Sequence, residues 1–132
     1  MEIEIPQPGR QARRVIAVRE EQPWWAPQLQ RRFAQGEVAV RTCVRVEDAV
    51  DARPDAMIVV ASGDGTAAVR CLAELQRSGV QAFVVAIIPA DLRAAEWRLR
   101  ELGADAVVGE DVGADAVADV CRWALRAAES RG

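Results

Sequence analysis

Short apolar runs alternate along this chain with stretches of helical spacing, and this alternation is the feature that most constrains its fold. Two of the apolar runs, Ala56–Ala61 and Ala82–Ile88, are continuous, as in strands that are covered on both faces of a sheet. Helical connections between strands of this kind give βαβ units and therefore parallel pairing. The sequence thus predicts a doubly wound α/β fold.

The predicted elements follow the order βαβαβαβαβα within 132 residues. The predicted strands are Arg14–Val18, Glu37–Val44, Ala56–Ala61, Ala82–Ile88 and Ala106–Val108. The predicted helices are Pro23–Gln35, Val46–Arg53, Gly65–Ser78, Pro89–Leu102 and Ala114–Ala128. Such units fit the flavodoxin-like arrangement, a three-layer (βα)5 sandwich with strand order 2-1-3-4-5. We expect residues 1–12, which contain two prolines and a glycine, to be a flexible lead-in, and residues 13–130 to form a single domain.

The residue types that are missing exclude several kinds of chemistry. The chain has no histidine and no lysine, which excludes a Ser-His-Asp triad, an imidazole metal site, a Walker A lysine and a Schiff base. Its net charge of −3 gives no general electrostatic attraction to nucleic acid. Cys43, Cys71 and Cys121 are far apart and lie among apolar residues, which predicts buried free thiols in a reducing compartment.

The N-terminal stretch MEIEIPQPGR carries acidic residues and has no apolar core, so it does not resemble a signal peptide. No window approaches the roughly 18 consecutive apolar residues of a membrane-spanning helix. We therefore expect a cytoplasmic protein that binds neither membrane nor nucleic acid and that holds no cofactor and no metal.

Three segments give the chain a resemblance to the receiver domains of response regulators: Arg14–Glu21, Pro54–Gly65 and Ala90–Val108. Pro54-Asp55 stands where the third strand of that family opens. Ser62–Gly65 is similar to a shortened form of the family's Gly-x-Asp-Gly turn, and Leu102–Asp105 matches its Leu-Gly-Ala-Asp start to the fifth strand. The resemblance extends from Arg14 to Ala128 and implies a bacterial signalling module of the two-component type.

The resemblance also implies where the phosphotransfer residues would lie, and those positions lack the chemistry that the reaction needs. Receivers use an aspartate nucleophile, an acidic pair that holds Mg²⁺, a Thr or Ser, and a Lys. The nucleophile falls on Val60, the acidic pair on Arg19 and Glu20, the hydroxyl on Ile88 and the lysine on Glu110. The resemblance therefore implies a pseudo-receiver that works without phosphorylation, through protein–protein interaction, and is not an enzyme.

Acidic side chains are expected to gather where the predicted strands end, at the carboxyl edge of the sheet. They are Glu20, Glu21, Asp64, Glu110 and Asp111. We expect a solvated acidic rim whose charges favour the N-termini of nearby helices. We also expect Arg19 to pair with Glu20, Asp64 or Glu110, in effect replacing a bound cation.

The tryptophans divide between the core and the surface. Trp25 shares a helical face with Leu29 and Phe33, which predicts a core position and leaves the adjacent Trp24 exposed. Exposed tryptophan is enriched at interface hot spots, so Trp24 is a candidate anchor for a protein partner. A tryptophan that lies on the start of its own helix is the alternative interpretation.

Trp97 and Trp123 fall on the predicted fourth and fifth helices, beside arginines and acidic residues. In receivers, the face formed by the fourth helix, the fifth strand and the fifth helix is the usual dimerising surface. The resemblance thus implies a weak homodimer or an unidentified protein partner at this face, with Arg100 as a candidate contact beside Trp97 and Trp123. Charged, solvent-exposed helix faces are the alternative.

A second resemblance leaves another function open. The turn Ser62-Gly63-Asp64-Gly65-Thr66 resembles the Gly-Gly-Asp-Gly-Thr signature of the NAD kinase and diacylglycerol kinase superfamily, in which backbone N–H groups approach phosphates. Its first glycine is replaced by Ser62, and Asp91–Arg93 replace a further glycine-rich segment. A small nucleotide-binding domain is the alternative function. A cobalamin- or flavin-binding domain is a weaker one, since histidine is absent and Glu20–Gln22 would repel phosphate.

Overall fold

The computed structural model describes residues 14–34 and 36–131, with side-chain surroundings up to residue 127, so the predicted lead-in over residues 1–12 lies outside the described residues. The strands are β1 (Arg14–Arg19), β2 (Val38–Cys43), β3 (Ala56–Val60), β4 (Phe83–Ile88) and β5 (Ala106–Gly109). They form one parallel sheet in the order β2-β1-β3-β4-β5. The predicted flavodoxin-like topology is confirmed.

Helices connect consecutive strands. They are α1 (Trp25–Gln30), α2 (Val46–Asp51), α3 (Thr66–Ser78), α4 (Glu96–Glu101) and α5 (Gly113–Arg131), with 3₁₀ segments at Ala90–Ala95 and Glu110–Val112. Within the described part of the chain, no helix is both long and apolar enough to cross a membrane.

The sheet separates two apolar cores, because successive side chains of a strand point to opposite faces. The core beneath α1 and α5 includes Ile16, Val18, Trp25, Leu29, Ile58, Val85, Ile87 and Cys121. The core beneath α2, α3 and α4 includes Ala17, Cys43, Met57, Val59, Cys71, Leu72, Ile88 and Leu99. All three cysteines are buried free thiols, as predicted. Burial raises the pKa of Cys71 to about 11 and that of Cys121 to about 12, which keeps both protonated at neutral pH.

Two aspartates hold the amino edge of the sheet. Asp55, just before β3, accepts the Val15 amide of β1 through Oδ2 at 2.9 Å, and its own amide donates to the Val15 carbonyl at 2.8 Å. Asp105, just before β5, accepts the Val84 amide of β4 through Oδ2 at 2.8 Å, and its own amide donates to the Val84 carbonyl at 2.7 Å. Both carboxylates thus satisfy strand N–H groups where pairing begins, which gives the Pro54-Asp55 and Ala104-Asp105 sequences a structural role.

Two helices differ most from their predicted extents. The prediction Pro23–Gln35 is too long, since α1 ends at Gln30 and is followed by the i→i−3 bonds of Arg32 and Phe33. The continuous helix Pro89–Leu102 is also wrong, because Ala90–Ala95 is 3₁₀ and only Glu96–Glu101 is α-helical. No residue of the 3₁₀ segment is buried, so little packing favours an α-helical turn there.

The outer edge of β2 is bonded by a side chain of α1. The Gln30 amide nitrogen donates to the Val38 carbonyl at 3.0 Å, and its Oε1 accepts the Val40 amide at 2.9 Å. A residue of a neighbouring parallel strand would make the same pair of bonds. Gln30 therefore continues the sheet's hydrogen bonding by one residue beyond its edge strand.

Candidate functional site

The side chain of Glu20 connects the end of β1 to the start of α1. It is only 3% exposed. Its Oε1 accepts the amides of Trp24 at 3.1 Å and Trp25 at 2.9 Å, and its Oε2 accepts the amide of Ala26 at 3.0 Å. Both carboxylate oxygens therefore satisfy N–H groups that the first turn of a helix leaves without intrahelical partners.

Arg19 lies beside Glu20 in the sequence but faces the opposite side of the sheet. Strand alternation directs Glu20 towards α1 and Arg19 towards α2 and α3. The Arg19 Nε donates to the Val44 carbonyl at 3.2 Å, and no ion pair joins Arg19 to a described carboxylate. The expected pairing of Arg19 with Glu20, Asp64 or Glu110 is wrong, and for Glu20 the reason is the pleat of β1, which directs the two side chains to opposite faces.

A cavity of about 650 Å³ lies where β1, β3 and β5 end, and we call it the carboxyl-edge cavity. It is lined by Glu20, Glu21, Gln22, Trp24, Trp25, Val60, Ser62, Glu110 and Asp111. Its volume falls within the range of about 300–1,000 Å³ that is usual for ligand pockets. No cationic side chain is among these lining residues. Of the five predicted rim acids, all but Asp64 line this cavity.

The wall of the carboxyl-edge cavity is aromatic and its rim is acidic. Trp24 is 55% exposed and meets the buried Trp25 edge-on, with ring centroids 4.9 Å apart. The predicted division into an exposed Trp24 and a core Trp25 is confirmed. Glu21, Glu110 and Asp111 are exposed. The described residues contain no group of three or more side chains placed to hold a metal ion.

The Ser62–Thr66 turn uses its main-chain donors internally. The Gly65 amide donates to the Ser62 carbonyl at 3.0 Å, and the Thr66 amide donates to Oδ1 of Asp64 at 3.0 Å. This bond from Thr66 lowers the pKa of the exposed Asp64 carboxyl below its ordinary value. Gly63 and Gly65 have φ angles of +58° and +84°, which favour glycine. Two N–H groups that a phosphate cradle would need are thus already engaged.

The candidate dimerising face carries two exposed indoles. Trp97 on α4 is 62% exposed and Trp123 on α5 is 54% exposed. Trp97 points outward because Leu99, two residues later and about 200° around the helix, is the residue that α4 buries. The Trp123 ring meets Phe83 edge-on at 5.3 Å, a contact that the sequence analysis did not predict.

No protein-family model matches this chain, and no curated protein matches it. Solved structures do. A signal receiver domain from Vibrio parahaemolyticus superposes with a TM-score of 0.75 over 90% of this chain and 95% of that chain, at 13% identity. A response regulator receiver protein from Pseudoalteromonas atlantica superposes with a TM-score of 0.70 over 86% of this chain and 98% of that chain, at 11% identity. The signal receiver domain of a modulated diguanylate cyclase from Desulfovibrio desulfuricans G20 superposes with a TM-score of 0.66 over 91% of this chain and 99% of that chain, at 19% identity. The chain has the receiver-domain fold.

The receiver fold separates the five positions that were matched to phosphotransfer roles. Glu20, Val60 and Glu110 line the carboxyl-edge cavity together. Ile88 is buried in the core beneath α3 and α4, and Arg19 lies towards α2 and α3. The structure therefore gathers three of the five positions at one site. The capping of α1 by Glu20 was not predicted, although the sequence carries a signal for it: an acid placed four to six residues before the first helical amides.

Proposed function

We propose that this chain is a phosphorylation-independent, receiver-like signalling module that acts through protein–protein interaction. The observation that carries the proposal is the state of Glu20, whose two carboxylate oxygens already accept three main-chain N–H groups. Glu20 is also the one residue matched to the receiver's acidic pair that retains a carboxylate. Because the Glu20 carboxylate caps α1, it is not free to bind Mg²⁺, and its position at the end of β1 does not depend on phosphorylation.

The remaining positions argue in the same direction. The side chain of Val60 has no oxygen that could accept a phosphoryl group. Glu110 brings a negative charge to the position where phosphotransfer needs a positive one. Glu21 and Asp111 add further carboxylates to the same cavity and would repel a phosphoryl group. We therefore propose that the chain is not a phosphotransfer enzyme.

Treatment with acetyl phosphate or beryllofluoride in the presence of Mg²⁺ tests this proposal. We expect the intact mass and the ¹H–¹⁵N NMR spectrum to stay unchanged, while a phosphorylatable receiver under the same conditions responds. The Val60→Asp variant is the sharper control, because it restores the nucleophile but leaves Glu20 engaged and Glu110 in place. An aspartyl-phosphate adduct on the natural chain would overturn the proposal.

We propose the face of α4, β5 and α5 as the interaction surface and weak self-association as its simplest use. Trp97 and Trp123 offer exposed aromatic area there. Arg100 lies on the same helix as Trp97, and its Nε is 3.2 Å from the Glu96 carboxylate, with both side chains partly exposed. Mixed charges of this kind suit a two-fold pair while each exposed ion pair contributes little energy.

Sedimentation velocity tests this surface. We expect reversible self-association at micromolar or weaker affinity that Arg100→Glu reduces by placing like charges beside Glu96 and Glu101. Arg77→Glu is the matched control, since Arg77 forms a similar exposed pair with Glu74 on α3. A natural chain that stays monomeric at high concentration would remove the dimer and leave Trp24 as the candidate partner anchor. We propose a bacterial, cytoplasmic setting and a protein partner, with no role for nucleic acid.

A further inference from the structure

A second cavity, of about 720 Å³, lies between α2 and α3 beside the ends of β1 and β2, and we call it the α2–α3 groove. It is lined by Arg19, Val44, Val46, Glu47, Ala67, Val69, Arg70, Cys71, Ala73, Glu74 and Arg77. It shares no lining residue with the carboxyl-edge cavity. An inference about it therefore stands or falls independently of the proposed function.

The guanidinium of Arg19 is held in the wall of this groove with few partners. Its Nε donates to the Val44 carbonyl, whereas its Nη1 is buried and has no hydrogen-bond partner among the described residues. Burial of Cys71 raises the pKa of that thiol, and the positive charge of Arg19 opposes this rise, so the charge lies close to Cys71. A buried guanidinium nitrogen without an acceptor is costly, which makes Arg19 a poor choice for stability alone.

The acidic residues of the groove are paired with other arginines. Glu47 accepts Arg45 Nε at 3.1 Å, and Glu74 accepts Arg77 Nε at 3.2 Å. Arg70 is exposed on the same wall, and no described carboxylate forms an ion pair with it. Arg19 and Arg70 are thus the cations of the groove that form no ion pair with a described carboxylate, and the charge of Arg70 also acts on the nearby Asp64, which does not line the groove.

The other lining residues are valines and alanines, and Val44 is 53% exposed where β2 ends. A cation set among apolar walls is complementary to a ligand with one anionic group and an apolar body. We propose that the α2–α3 groove binds a small organic carboxylate, with its carboxylate at the Arg19 guanidinium, its apolar part along Val44 and Val69, and Arg70 at the mouth. A carboxylate accepts charge-assisted hydrogen bonds from a guanidinium, and a single charge limits repulsion from Glu47 and Glu74.

Matched probes that differ only in the head group test this proposal. Hexanoate, hexan-1-ol, hexylammonium and inorganic phosphate are titrated into the ¹⁵N-labelled protein at constant ionic strength. We expect hexanoate to cause saturable shifts at the amides of Arg19, Val44 and Cys71. We expect hexan-1-ol and hexylammonium to bind at least about tenfold more weakly, because they lack the charge-assisted hydrogen bond. Equal binding of hexan-1-ol, or phosphate alone causing the same shifts, would overturn the proposal.

The Arg19→Met variant tests the residue directly, with Arg41→Met as the control for an exposed arginine of β2 that does not line the groove. We expect hexanoate binding to weaken at least about tenfold in Arg19→Met only. We also expect its midpoint of urea unfolding to stay equal or rise, because a guanidinium nitrogen that is buried without an acceptor has been removed. Unchanged hexanoate affinity in Arg19→Met would refute the proposal. If that variant does not fold, the comparison of hexanoate with hexan-1-ol on the natural chain still decides.

Discussion

The amino and carboxyl edges of the sheet both carry acidic side chains, and the two edges use them differently. At the amino edge, Asp55 and Asp105 each accept a strand amide and return a main-chain bond to the same residue. At the carboxyl edge, the buried Glu20 caps α1, and the exposed Asp64 accepts the Thr66 amide at the start of α3. Glu21 and Glu110 are exposed beside the same cavity.

This difference separates acids that hold the fold from acids that shape a surface. A carboxylate that satisfies buried N–H groups cannot be removed without leaving those groups unpaired, whereas an exposed carboxylate can. Substitution of a buried, bonded carboxylate should therefore lower the free energy of unfolding, whereas substitution of an exposed one should leave it nearly unchanged.

The largest effect is expected for Glu20→Ala. This change leaves three N–H groups at the start of α1 without their acceptor, and we expect it to lower the free energy of unfolding by about 2–3 kcal/mol. Urea denaturation followed by circular dichroism measures the change. Glu21→Ala is the matched control at the adjacent exposed position, with an expected change within about 0.5 kcal/mol. Equal effects of the two substitutions would break the contrast within the carboxyl edge.

At the amino edge, Asp55→Ala and Asp105→Ala are each expected to cost about 1–2 kcal/mol, because each leaves one strand amide, that of Val15 or Val84, unpaired. The same urea experiment measures both, with Asp51→Ala as the control at an exposed position. Similar losses for Asp55 and Asp105 would show that the two occurrences of this motif at the amino edge are equivalent. If either loss were negligible, a purely structural role for that residue would not hold.

A smaller effect is expected for Asp64, which is exposed and bonded to the Thr66 amide. Its pKa is lower in the folded state, so its contribution to stability is present above the unfolded pKa. This contribution is lost as the pH falls through the folded value, below the usual aspartate pKa of about 3.9. We expect Asp64→Asn to remove this part of the acid dependence of the unfolding midpoint. An unchanged acid profile would show that the Thr66 bond contributes nothing measurable.

No effect at all is expected from nucleotides. Two amides of the Ser62–Thr66 turn are engaged, and the carboxyl-edge cavity is lined by acids. Millimolar ATP or NAD should therefore leave the melting temperature unchanged, since only a ligand that binds the native state raises it. A rise of several degrees that Gly63→Val abolishes would favour the nucleotide-binding alternative. Gly79→Val, at another glycine with positive φ, controls for backbone strain.

The layers of the fold could be predicted from the sequence because each strand carries its own signal. Ala56–Val60 and Phe83–Ile88 are apolar without interruption, as central strands are, and glycine ends α3 at Gly79. The order of the strands followed from the handedness and brevity of the connections and from the resemblance. The extents of α1 and α4 did not follow, because they depend on packing that local patterns do not record.

The sequence predicts which residues lie at the candidate site but not the directions in which their side chains point. The sequence places Glu20, Val60 and Glu110 at or just after the ends of strands that finish at one edge, and the structure brings them to one cavity. It does not reveal that Arg19 and Glu20 point to opposite faces, because the exact end of β1 decides this. Three acceptor bonds at Glu20 likewise depend on how the loop after β1 turns into α1.

The Gln30 side chain has a consequence for how copies of this chain could aggregate. An unpaired edge strand is a template for edge-to-edge addition of another chain, and a parallel open sheet has two such edges. On β2, the Val38 carbonyl and the Val40 amide are already bonded to Gln30, so an incoming strand would have to displace it. Sheet extension is thus discouraged at the β2 edge. Two copies that paired through their β5 edges would form a dimer whose outer edges are both β2, so the pairing would not propagate into a fibre.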